Sequence, residues 1–197
     1  MRSIPGAGSD LPIKLFKNWK DWGAWLDKNH LNSTGLWLRI AKKTADIKSV
    51  SYAEALEVAL CYGWIDGQKK TYDENTWLQK FTPRGPRSIW SAINREKATE
   101  LIKKGLMNPA GLRAIERAKE NGQWKSAYDS QSRIALPDDF QGELDKNAKA
   151  KAFFATLNSA NRYAILFRLH TAKKPETRAK RLRQFIEMLE KHEKLHP

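Results

Sequence analysis

The 197-residue chain has a single cysteine, Cys61, so no disulfide can close within it and no all-cysteine metal site can form. It has no apolar run approaching the ~18 residues of a membrane span, and MRSIPGAGSD at its start lacks the apolar stretch of a secretory leader. These absences predict a cytoplasmic protein without membrane insertion, led by a flexible tail over residues 1–10. The four histidines, His30, His170, His192 and His196, are scattered; HEKLH at 192–196 has the HExxH spacing of a zinc site but sits in a fraying terminus, so no zinc site is expected there. The phosphate and dinucleotide loops GxxxxGK(S/T) and GxGxxG are missing, as is the GxSxG nucleophile turn. No metal, no cofactor and no catalytic residue is expected, and catalysis is the less favoured reading. Acidic side chains are scarce as well. With 22 Asp and Glu against 36 Lys and Arg the net charge is +14, which favours anionic partners.

What is present is enough for a packed core: 41% hydrophobic residues and no low-complexity tract. Leu11 to Lys17 reads as a strand, and Asn18 caps a helix with Trp19, Trp22, Trp25 and Leu26 at helical spacing. In GLWLRIAKK, Leu36, Leu38 and Ile40 alternate with Trp37 and Arg39, the period of a half-buried strand. Ser51 and Glu54 are spaced as a capping box before a helix that Gly63 ends. Trp64 to Thr82 reads as a hairpin turning at Asp73–Asn75, with Asp66-Gly67 as an alternative tight turn. Helices are expected from Ser88 to about Lys104 and from Asn108-Pro109 to Gly122, the latter with Leu112 and Ile115 inward. The predicted fold class is α+β, a small mixed or antiparallel sheet packed with helices over residues 11–125. A polar linker is expected over 126–147, and a helical segment over 148–197, packed on the first domain and too short to need its own core.

One stretch reads as a site. FTPRGPRSIW, residues 81–90, puts Arg84 and Arg87 in a proline-stiffened turn ahead of a helix start at Ser88, where unpaired backbone N–H groups attract anions. Asn94 projects to the apolar side of that helix, so Ser88, Ser91 and Asn94 form a polar rib leading inward. The expected ligand is a small phosphate- or carboxylate-bearing anion. Arg84 and Arg87 would hold it, Trp64 and Trp90 would wall it, Asp66 and Asn94 would orient it, and Lys69 would add charge from the hairpin. The alternative is nucleic-acid binding by the basic helices at 162–183, through Arg168, Lys174, Arg178 and Arg181. An enzymatic reading, ranked last, makes Asp66 a base beside Arg84. Nothing in the sequence sets an oligomeric state.

ALCYGWIDGQKK, FTPRGPRSIWSAINREKATELIKKGLMNPAGL and AKKPETRAKRLRQFIEML together resemble the YdeI/OmpD-associated family, also called bacteriocin-protection proteins. The resemblance runs from about Leu11 to Pro197. By it, Trp64, Asp66, Gly67, Thr82, Pro83, Arg84, Ser88, Trp90, Ser91 and Asn94 match a main motif, and Pro175 to Arg178 a C-terminal one. It implies tolerance of bacteriocins or antimicrobial stress and no established reaction.

Overall fold

The computed structural model describes residues 11–197, and the tail expected over residues 1–10 lies outside them. Among the described residues the fold is α+β, with eight helices and one four-stranded mixed sheet, and the chain divides into two compact units.

The first unit spans residues up to Trp90 and then Asn94–Ser126. Its strands are β1 (Ile13–Lys14), β2 (Leu36–Ala41), β3 (Trp64–Thr71) and β4 (Thr76–Pro83), in the order β1-β2-β4-β3. β1 runs parallel to β2 and the other pairs are antiparallel. The first strand is shorter than its apolar pattern predicts. Leu36, Leu38 and Phe81 share one face and are fully buried, as the alternation requires. Against that face lies α1 (Trp19–Asn29), capped by Asn18, with Trp22 5.7 Å from the Phe81 ring and 6.2 Å edge-on from Trp64. The Trp22 indole N–H donates to Ala55 O at 3.0 Å, so the largest core ring leaves no polar atom stranded.

α2 (Tyr52–Cys61) starts at the predicted capping box, with Ser51 N donating to the Glu54 carboxylate at 2.9 Å and Glu54 N to Ser51 Oγ at 3.3 Å. The Ser51 hydroxyl and backbone bonds hold the Glu54 carboxyl below its ordinary range. Burial, with Glu57 nearby, pushes the Cys61 thiol up to about 11, so it stays protonated and acts as a small core hydrophobe. α3 (Ala92–Lys103) and α4 (Pro109–Glu120) follow, and Asn108 caps α4 with Pro109 in its first turn as expected. Leu112, expected inward, is 40% exposed. The buried face of α4 is instead Gly111, Ala114, Ile115 and Ala118, because α4 approaches the end of α2 too closely for a larger residue at 111.

The hairpin turns where predicted: Asp73 Oδ1 accepts from Asn75 N at 2.9 Å and Thr76 N at 2.6 Å. Asp66-Gly67 is not a turn. It lies within β3, where the register against β4 shifts between Asp66 and Lys69, and the buried Gln79 amide donates to Gly67 O at 2.8 Å.

The second unit comprises Ser91–Ile93 and Ala127–Pro197. Its helices are α5 (Asp138–Lys146), α6 (Ala148–Thr156), α7 (Ser159–His170) and α8 (Pro175–Glu190), so the polar tract read as a linker contains a helix. Asn158 caps α7, its side chain accepting from Asn161 N. Contrary to expectation this unit has a core of its own, in which Phe140, Leu144, Ile165, Leu169, Phe185 and Leu189 are buried together. Phe140 and Leu144 come from the tract whose polarity suggested a linker, because only one side of so short a helix needs to be apolar.

Arg178 on α8 fastens this core. Its Nε and Nη2 bond the two oxygens of Asp139 at 2.6 and 2.7 Å, and its Nη1 donates to Leu169 O at 2.8 Å. The guanidinium bonds hold the Asp139 carboxyl below its ordinary range. A lowered native pKa means stability that is full above the unfolded value of ~3.9 and is lost as pH falls through the native one. Both groups are partly exposed, which limits the contribution to about 1 kcal/mol. Urea unfolding at neutral pH and near pH 3 is expected to show the loss in the parent protein. Asp139→Asn should be weaker at neutral pH and lose less on acidification.

Candidate functional site

The FTPRGPRSIW stretch forms a corner secured by α4. Arg84 N donates to Gly63 O at 2.9 Å, Arg117 Nη2 to Arg84 O at 2.8 Å, and Asn121 Nδ2 to Pro86 O at 3.0 Å. The Arg84 side chain is 5% exposed; its guanidinium lies 3.6 Å from the centre of the Trp90 ring, and Nη1 donates to Ile89 O at 3.2 Å. Trp90 is itself buried and meets Trp124 edge-on at 4.8 Å. Arg84, Ser88, Trp90, Arg117 and Asn121 line a cavity of about 10 Å³, room for about one water and not for a phosphate.

Other parts of the expected site fall elsewhere. Ser88 does not cap a helix: its N–H closes a turn onto Gly85 O at 3.1 Å, and α3 begins only at Ala92. The delay has a cause within the second unit, where Ser91 bridges Tyr128 and Ala92 N donates to Tyr128 O at 2.8 Å, holding the chain extended. Trp90 therefore precedes the helix, although the expected start at Ser88 would place it inside. Ser91 belongs to the second unit, whereas Ser88 and Asn94 belong to the first. Asn94, in the first turn of α3, is 9% exposed, on the buried side that the projection predicts. Arg87 is exposed in the turn, so the two arginines do not converge. Trp64 stands in the α1 cluster with its indole N–H on His30 O at 3.2 Å, apart from the Trp90–Trp124 pair. Asp66 accepts from the Tyr52 hydroxyl at 2.7 Å.

Lys69, by contrast, does border a cleft. Lys42 and Lys43, just past β2, join Lys69, Lys70 and Thr71 of the edge strand β3 and Trp77 of β4 around about 570 Å³, with no carboxylate in the lining. The Lys69 ammonium sits 4.4 Å from the Trp77 ring centre, and the Lys42 ammonium donates to Glu74 O at 2.8 Å and Asp73 O at 3.2 Å. The sequence showed two lysine pairs far apart. The register that sets Ala41 opposite Thr76 and Thr71 opposite Trp77 brings them to one end of the sheet, and no local pattern signals that. Gln79 was also missed, although a glutamine between Trp77 and Phe81 on an inward-facing alternation was a readable sign of buried hydrogen bonding.

Three of the four candidate residues in the basic run at 162–183 make hydrogen bonds within the fold. Arg178 holds Asp139 and Leu169 O, Arg181 donates to Arg168 O, and Arg168 donates to Ala164 O at 3.3 Å. Lys174 is exposed at the start of α8.

Residues 14–114, just over half of the chain, match the model of a domain of unknown function, DUF8412, and residues 133–192 match the family described as bacteriocin-protection, YdeI or OmpD-associated. The chain belongs to the first of these families, and its C-terminal part is similar to the second. The second is the one that the sequence resembles, and the match points to a bacteriocin-protection or stress-related role. The two matches divide the motifs: FTPRGPRSIWSAIN lies in the first and AKKPETRAKR in the second. No curated protein and no solved structure matches the chain. Among the described residues no helix is long and apolar enough to cross a membrane.

Proposed function

We propose that the protein binds a phosphate-bearing anion, in the service of bacteriocin or antimicrobial tolerance, and that the anion sits in the lysine cleft at the end of the sheet. The observation that carries this reading is the lining itself: four lysines, a threonine and a tryptophan around about 570 Å³, with no acid among them. A cleft lined by one sign of charge concentrates counter-ions of the other, and at this volume it admits a di- or triphosphate with its shell of partners. Lysine ammoniums suit this task as mobile point charges that accept several anion geometries.

The test is calorimetric titration with tripolyphosphate. Binding that weakens steeply with salt and falls about tenfold in a Lys43→Ala/Lys69→Ala double variant is expected. Equal affinity in parent and variant would remove the cleft from the reading. Arg84 variants that remain folded should bind the probe as the parent does.

A further inference from the structure

The two faces of the sheet are used differently. Leu36, Leu38 and Phe81 face the helices, as the contacts of Trp22 with Phe81 and of Tyr52 with Asp66 show. The register places Trp37, Arg39, Leu78, Lys80 and Lys70 on the opposite face. Leu78 is fully buried there between Arg39 and Lys70, while Trp37 is half-buried and Tyr72, just beyond β3, is 48% exposed. Each aromatic carries a cation: the Lys70 ammonium lies 4.1 Å from the Trp37 ring centre and the Arg39 guanidinium 5.0 Å from that of Tyr72. Ile13, paired in register with Trp37, extends the apolar strip and is 45% exposed.

From this arrangement we infer that the face is a platform for single-stranded nucleic acid, with bases on Trp37 and Tyr72 and phosphates on Lys70 and Lys80. Half-exposed aromatic rings are stacking surfaces for any base, and flanking cations follow the backbone. Charge complementarity selects this occupant. Asp73 pairs with Arg39 at 2.8 Å, but among the described residues no carboxylate pairs with Lys70 or Lys80, so the face presents uncompensated positive charge beside its rings. Trp37 and Tyr72 stand two strands and two side-chain levels apart, roughly 16 Å at the usual sheet spacings, a span that a short single strand covers with bases on both. A duplex hides its base faces and cannot use the rings.

The experiment is fluorescence anisotropy of a labelled oligouridylate with the intact protein, in parallel with polyphosphate of similar charge, a duplex of the same length, and anionic phospholipid vesicles. Oligouridylate should bind more tightly than the duplex, with log K falling linearly in log salt. Trp37→Leu should weaken oligouridylate about tenfold and leave polyphosphate unchanged, since polyphosphate has no bases. Tyr72→Ser/Lys80→Glu, a surface change outside the lysine cleft that carries the test even if Trp37→Leu does not fold, should weaken oligouridylate at least as much. Unchanged oligouridylate affinity in this double variant overturns the proposal. So does a preference for vesicles, or self-association that Trp37→Leu abolishes. Tripolyphosphate binding lost on Lys43 and Lys69 replacement, with oligouridylate indifferent to Trp37, Tyr72 and Lys80, would leave the cleft standing and remove this platform.

Discussion

Arg84→Ala is expected to destabilise the first unit by about 3 kcal/mol in the absence of any ligand, lowering the melting temperature by roughly 10 °C. Arg87→Ala is expected to leave it within the error of measurement. The difference follows from position. The Arg84 guanidinium is buried against the Trp90 ring and donates to Ile89 O, and its own carbonyl receives Arg117. Truncation empties a space between Trp90 and α4 and leaves the Ile89 carbonyl short of a donor. Arg84→Lys should recover little, because an ammonium offers neither the flat face that covers Trp90 nor the fork that reaches Ile89. Arg84→Met should recover more, since it restores volume against the ring. Thermal unfolding followed by circular dichroism reads all four variants. An Arg84→Ala protein as stable as its parent would return this arginine to the list of ligand-binding candidates.

The second large effect is expected at a glycine. A Cβ at Gly111 would stand 2.3 Å from Cys61 O and 2.6 Å from Met107 Cε. The methionine can swing away, but the carbonyl cannot, because it ends α2 and accepts from Asn108 N at 3.1 Å. Gly111→Ala should therefore destabilise by about 3 kcal/mol, against the gain of roughly 1 kcal/mol that alanine brings to an unobstructed helix. Gly142 in α5 is the control: nothing lies within 4 Å of its Cβ position, and Gly142→Ala should stabilise by about 0.5–1 kcal/mol. Urea unfolding of both variants checks the opposite signs. Two stabilising results would mean that α4 does not approach α2 as closely as the carbonyl distance requires.

What could be read from the chain was whatever depends on neighbours in sequence. The Ser51–Glu54 box, the Asn108-Pro109 start, the Asp73 turn and the Leu36–Leu38–Ile40 alternation are each complete within a few residues, and each stands where its pattern puts it. The start of α3 was missed for the converse reason. Ser88 has the chemistry of a cap, but the bridge from Ser91 to Tyr128, a residue distant in sequence, keeps the chain between Ser88 and Ser91 out of the helix. Leu112 was misassigned on similar grounds, because which side of α4 is buried depends on how near it comes to Cys61.

The candidate site divides along the same line. Sequence by itself determined the excess of positive charge, the absence of phosphate-loop, dinucleotide-loop and nucleophile-turn patterns and the α+β class, since composition and local patterns carry these, and its motifs carried the resemblance to the family that residues 133–192 match. Only the tertiary structure decided which cations are available. It buries Arg84 on Trp90, spends Arg178 on Asp139, and gathers two remote lysine pairs beside the half-buried Trp77. Charge is a property of a residue, but its availability depends on what the fold sets within hydrogen-bonding reach of it, and that is fixed by strand register and helix packing between residues far apart in the chain.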